Sequence, residues 1–126
     1  MVLKLDRQRM LANAAQADTL ELLDRVTVLR EHLEPQAVEI AEAELARRGI
    51  TPDEIESHGR HWRHRVLRDE RGMVWNCCLC GRAAVAEELD WYRWLGLIPL
   101  FHRRYRYCET HWRQRHPEQA DQEFLA

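Results

Sequence analysis

The sequence predicts an α+β fold: an N-terminal helical hairpin, then a small domain of β-hairpins closed by a C-terminal helix. Three observations carry this. Residues 1–57 show helical apolar spacing with capping signals, and residues 66–107 show alternation broken by turn signals. The two ends of that second stretch carry paired cysteine and histidine residues. Composition divides the chain at the same place. Residues 1–57 hold 7 Lys+Arg against 12 Asp+Glu, and residues 58–116 hold 12 Arg, no Lys and 6 acids. All five Trp, all three Tyr and Phe101 fall in 58–116, and the tail 117–126 has three acids and no base. The expected organisation is therefore an acidic helical segment (1–57), a basic, aromatic-rich segment (58–116) and an acidic tail (117–126).

A chain of 126 residues can bury one core, but two half-sized modules would each be marginal and would need a staple. No apolar run reaches the ~18 residues a membrane helix requires. The start "MVLKLDRQRM" places charges where a signal peptide needs an apolar stretch. A cytoplasmic chain is expected, with no membrane association. In a reducing compartment, closely spaced cysteines bind metal or do redox chemistry more often than they form structural disulfides.

The first helix is predicted over about 19–33. Asp18 is suited to its N-cap and Glu21 to the closing position of a capping box. Leu22, Val26, Leu29 and Leu33 form one stripe, which Leu20 and Leu23 widen. The second helix is predicted over 35–48, with Pro35 at its first position and Gly49 past its end. Arg47 and Arg48 suit the negative pole of its dipole. Thr51, Pro52 and Glu54 start a short helix over about 52–58. Residues 1–16 either extend the first helix or stay loose. This half reads as a packing unit that leans on the rest of the chain or on a second copy of itself, a homodimer.

Past residue 58, "HGRHWRHR" spaces His58, His61 and His64 three apart among Arg60, Arg63 and Arg65. A basic, solvated segment is the main reading and a second metal site the lesser one. "VLRDERGMVW" reads as a hairpin turning at "DERG", and "AAVAEEL" as strand or turn. "FHRRYRYC" alternates Phe101, Arg103, Tyr105 and Tyr107 with His102, Arg104 and Arg106, as a strand does. "WYRWLGLIPL" reads as core plus hairpin turn, with an exposed apolar platform as the alternative.

The chemistry lies in the cysteines. Cys77 and Cys80 form C-x-x-C followed by Gly81, and Cys108 and His111 form C-x-x-H at the front of a predicted helix. A two-residue spacer lets one tight turn aim two thiolates at one ion, and Gly81 suits that turn if its φ is positive. Residues i and i+3 share a helix face. Four N and S ligands in a tetrahedron are what structural zinc takes, so one zinc held by Cys77, Cys80, Cys108 and His111 is expected. Cys78 is left over. His102 and His116 are the substitute candidates for His111. Structural zinc contributes roughly 10 kcal/mol or more to folding in small finger peptides, which would supply the missing staple.

"CCLCGR" followed by "YRYCETH" resembles the treble-clef and zinc-ribbon superfamily of small zinc fingers. It is loosely similar to the zinc-binding domain of Clp-type AAA+ unfoldases. The resemblance covers residues 74–116 and implies a structural zinc in a knuckle, hairpin and helix layout. The last ligand here is His where those proteins usually have Cys, and the gap between the pairs is longer. The superfamily hosts many functions, so none is implied.

No H-E-x-x-H, zinc-deaminase pattern, phosphate loop or nucleophile elbow occurs, and four protein ligands would leave no open metal position. A non-enzyme is expected. The favoured role is a protein-interaction module, adaptor or small regulatory subunit, with Trp91, Trp94, Leu97 and Phe101 as anchors. The alternative is nucleic-acid binding through Arg60, Arg63, Arg65, Arg103, Arg104 and Arg106 among the aromatics. A sequence pI of about 6.4 weighs against it.

Overall fold

The structure, a computed structural model, describes residues 2–118. It is α+β, with helices first and a strand hairpin and helix last. The chain divides into two units, Met1–Arg65 and Val66–Ala126. The acidic tail expected over 117–126 lies outside the described residues from 119 onward.

The first unit has four helices: α1 (Val2–Gln16), α2 (Thr19–Val26), α3 (Pro35–Arg47) and α4 (Pro52–Trp62), with a 3₁₀ turn at Arg30–His32. Residues 2–16 form a helix of their own, and α1 enters the core through Ala14, with Met10 packed beside it. The remaining core is Leu22, Leu23, Val26, Val38, Ile40, Ala41 and Leu45. Leu20, expected to widen the stripe, is exposed.

The helix expected over 19–33 breaks after Val26. The Thr27 hydroxyl donates to the Leu23 carbonyl at 2.6 Å, and a β-branched Val-Thr-Val run resists continued helix. Asp18 caps α2 by position, but its side chain makes no capping bond. The Thr51–Glu54 capping box at α4 is complete, with both bonds at 3.2 Å. That helix continues past 58 to Trp62, which is buried. Gly59 lies where α4 crosses Thr27: an added Cβ would meet the Thr27 methyl at 3.3 Å.

Arg47 and Arg48 both reach back to Glu44. Arg48 also donates to the Thr19 hydroxyl at 3.1 Å and to the Ala14 and Ala15 carbonyls at 3.2 and 3.1 Å. It thus satisfies acceptors left open in the last turn of α1.

In the second unit, the "DERG" turn forms as expected. Asp69 accepts from the Arg71 and Met73 amides, and Gly72 has φ of 82°. Arg68 bridges Val74, and Asn76 bridges Ala83. Strands β1 (Ala86–Trp94) and β2 (Ile98–Tyr107) form one antiparallel two-stranded sheet. Glu88 faces Tyr105, Trp91 faces His102 and Tyr92 faces Phe101, with a register shift after Tyr92. Helix α5 (Glu109–Arg115) follows. Trp112 is buried, and Arg115 and His116 reach Glu88 at 3.2 and 2.9 Å.

Candidate metal centre

The knuckle sits at the end of a tight strand pair. Trp75 and Ala84 bond main chain to main chain at 2.8 Å, and the Cys77 amide donates to the Arg82 carbonyl at 2.8 Å. The turn between must project side chains from both arms to one side. Its amides then point at sulfur: Leu79 N–H donates to Cys77 Sγ at 3.4 Å and Arg82 N–H to Cys80 Sγ at 3.5 Å.

The second ligand pair comes from α5. Cys108 is its N-cap and His111 lies three residues on. One ligand atom from each of Cys77, Cys80, Cys108 and His111 lies within 4.8 Å of all the others. Cys80 and Cys108 sulfurs are 3.7 Å apart. His111 Nδ1 is 3.4 Å from Cys77 Sγ and 3.2 Å from Cys108 Sγ. A tetrahedron with Zn–S near 2.3 Å and Zn–N near 2.0 Å has S···S edges of about 3.8 Å and S···N edges of about 3.6 Å. The donors are thus spaced close to the corners of such a shell, and the cluster can hold one metal ion.

Electrostatics favour a cation there. Burial pushes the Cys77 thiol up, but amide donors at Cys108, Leu79 and Cys80 outweigh it and hold the thiol below its ordinary value. Burial first, helped by the neighbouring Cys108 and Cys77 charges, pushes Cys80 up to about 12. Burial likewise raises Cys108. Three thiolates crowded together repel one another, and a divalent ion removes that repulsion.

Cys78 is exposed and outside the cluster, and its amide donates to the Arg106 carbonyl at 2.8 Å. His102 lies on Trp91 with centroids 4.1 Å apart, and His116 stacks on Trp112 at 3.9 Å. Neither substitutes for His111. Among the described residues, His58, His61 and His64 form no metal-capable group. His58 is not solvated either: its Nε2 lies 2.6 Å from Asp24 Oδ1 with both side chains buried.

Segment 91–101 is strand and turn, and it is not core. Trp91, Trp94, Leu97 and Phe101 are all exposed, as are Leu95, Ile98 and Leu100 between them. Of the six arginines weighed for phosphate contact, Arg60, Arg63 and Arg65 belong to the first unit and Arg103, Arg104 and Arg106 to the second. Arg106 is engaged, lying 3.7 Å over the Trp75 ring and 3.4 Å from Glu87. Arg103 and Arg104 make no ion pair with any described residue.

The sequence pointed to the four residues of the cluster but not to their supports. The Leu79 and Arg82 amides carry no side-chain signal. Asp24 carried a weak one, as an acid directly after Leu22 and Leu23 and two residues before Val26. Among the described residues no helix is long and apolar enough to cross a membrane. No protein-family model, curated protein or solved structure matches the chain.

Proposed function

We propose that this chain is a non-catalytic, zinc-stapled adaptor whose β1–β2 hairpin tip docks into an apolar pocket of a protein partner. The observation that carries the reading is the tip itself: Leu95 and Leu97 are 75% and 82% exposed. Leu95 has φ of 51° and Gly96 φ of 73°. A leucine in the left-handed region is strained, and Gly or Asn suits that position better. Neither the core nor the turn calls for leucine there, and strain held at an exposed apolar position is characteristic of binding elements. Trp94 and Phe101 extend the apolar surface. Arg93 is exposed beside them and makes no ion pair with a described residue, which favours a pocket with an acidic rim.

Zinc is the metal the donor set fits best, because three thiolates and an imidazole at tetrahedral spacing suit Zn²⁺. Four protein ligands fill the shell, which supports a structural role. The layout of knuckle, hairpin and ligand-bearing helix is that of a treble-clef-like finger.

The test compares capture of partners by the wild-type chain and by Leu97→Ser/Phe101→Ser, at equal metal content and at two salt concentrations. Partners held by the wild type, lost by the variant and retained at higher salt support the reading. Equal capture by both chains removes the hairpin tip from it. The nucleic-acid alternative draws on Arg103 and Arg104, which make no ion pair with a described residue, and requires an affinity that falls steeply with salt.

A further inference from the structure

The β1–β2 ribbon has two outer edges, and they are built differently. The β2 edge is guarded: Pro99 interrupts it, the register shift leaves Leu100 without a partner in β1, and the Cys78 amide covers the Arg106 carbonyl. Proline, bulges and covering segments are how edge strands avoid further pairing. β1 has none of these over Ala86–Trp94, and no strand lies on its far side among the described residues. Two hydrogen bonds fix which main-chain groups face that open edge. The Arg106 carbonyl is taken by the Cys78 amide, and the Trp91 amide donates to the Asp90 carboxylate at 2.7 Å. Arg106 faces Glu87 and His102 faces Trp91, so both are pairs of the kind that exchange no ladder bonds. Alternation then turns the N–H and C=O of Glu87, Leu89, Trp91 and Arg93 outward. The same four side chains share one face of the ribbon, and all four are exposed.

Along β1 that face runs Glu87, Leu89, Trp91, Arg93. Turned end for end it reads Arg, Trp, Leu, Glu, so it is complementary to itself in both charge and apolarity. Leu89 is 63% exposed and Trp91 43%. Arg93 makes no ion pair with a described residue, and Glu87 has one oxygen 3.4 Å from Arg106. We infer that two copies of this chain pair antiparallel along β1, about a twofold axis at Asp90. Glu87 of each copy then meets Arg93 of the other, and Leu89 meets Trp91. The outward N–H and C=O groups of these residues bond across the axis, giving one four-stranded sheet with a self-complementary interface. The two Asp90 carboxylates meet at the axis on the opposite face, each with Arg115 at 3.7 Å and Arg103 across the ladder. A two-stranded ribbon is marginal by itself in water, and the pairing doubles it. Leu95 and Leu97 lie beyond the paired segment, so the inference stands apart from the tip's partner. The acid that meets Arg93 is Glu87 of the second copy.

The test is sedimentation equilibrium of the metal-loaded full chain, from micromolar to millimolar concentration. A dimer should form and dissociate on dilution. Glu87→Arg and Arg93→Glu should each weaken it about tenfold, since each turns two opposite-charge pairs into like-charge pairs. An equimolar mixture of the two variants should restore dimerisation, because every mixed pair is attractive again. Both residues are exposed, and unchanged metal content and circular dichroism would establish that the variants fold. In the wild type, amide hydrogen exchange at Leu89 and Trp91 should slow as the dimer forms. A chain that is monomeric throughout the range overturns the inference. So does a dimer that both variants form as the wild type does, which would lie on another surface, the helices of the first unit among them. A mixture that stays monomeric, or exchange at Leu89 and Trp91 that ignores concentration, would equally overturn it.

Discussion

His58 Nε2 lies 2.6 Å from Asp24 Oδ1, joining α4 to α2 through side chains that are 8% and 2% exposed. A buried polar pair of this kind is stabilising only while both members are present. Removing Asp24 takes this bond from the buried His58 ring, at a cost of about 1–3 kcal/mol. Asp24→Ala should therefore lower the stability of the first unit by that amount or more, and Asp24→Asn by less. Thermal unfolding of both variants checks this. Loss of no more than a surface substitution costs would show the pair to be idle.

Gly59 predicts a size limit at the same helix crossing. A Cβ there already meets the Thr27 methyl at 3.3 Å. Gly59→Val adds further atoms against Thr27 and should cost about 1–3 kcal/mol of stability, measurable by denaturant titration.

Metal removal should act on one unit only, because each has its own packing. A strong chelator should abolish the near-ultraviolet signal of the second unit while much of the far-ultraviolet helical signal of the first persists. Elemental analysis should find one zinc per chain, lost in Cys108→Ser and His111→Ala and kept in Cys78→Ser. Metal loss in Cys78→Ser would reassign the knuckle ligands.

Acid and base should act on the centre in opposite senses. Metal binds thiolates and neutral imidazole, so acidification returns protons to the ligands and releases the ion. If Cys80 and Cys108 each lose a proton on binding near neutral pH, affinity should fall roughly a hundredfold per pH unit of acidification. In the metal-free chain the folded Cys80 keeps its proton up to about 12, from an ordinary value of 9.0. Its folded value is raised, so the folded state holds the extra proton between those two values. The Cys80 contribution to stability therefore falls as pH rises through that window. Metal titrations at several pH values, with unfolding of the chelated chain, test both signs.

At the α3 terminus, the Arg47 hydrogen bond first and the Arg48 one next hold the Glu44 carboxyl down to about 2. Sign follows from the lowering: the Glu44 contribution is fully present above about 4.5 and is lost as pH falls toward 2. Arg48→Ala should lower stability, because it also removes the guanidinium donor to the Ala15 carbonyl and the second donor to the Ala14 carbonyl, which keeps the Ala17 amide. A midpoint shift in denaturant titration at neutral pH measures it.

The sequence by itself determined the helices 35–48 and 52 onward, the alternation of 101–107 and the four residues that come together as a metal-capable cluster. Each is a local signal: a cap, a two-residue period, a spacer that one turn can close. Tertiary structure decided the rest. Whether "WYRWLGLIPL" is core or surface depends on what packs against it, and the residues of the hairpin tip are exposed among the described residues of the second unit. Whether His58 is solvated depends on Asp24, thirty-four residues away. Arg48 is a helix-end cation by its position in the sequence, but in the fold it holds the end of a different helix. Apolar spacing marks which face of an element can be buried, but not which partner buries it, because the partner arrives from a distant part of the chain.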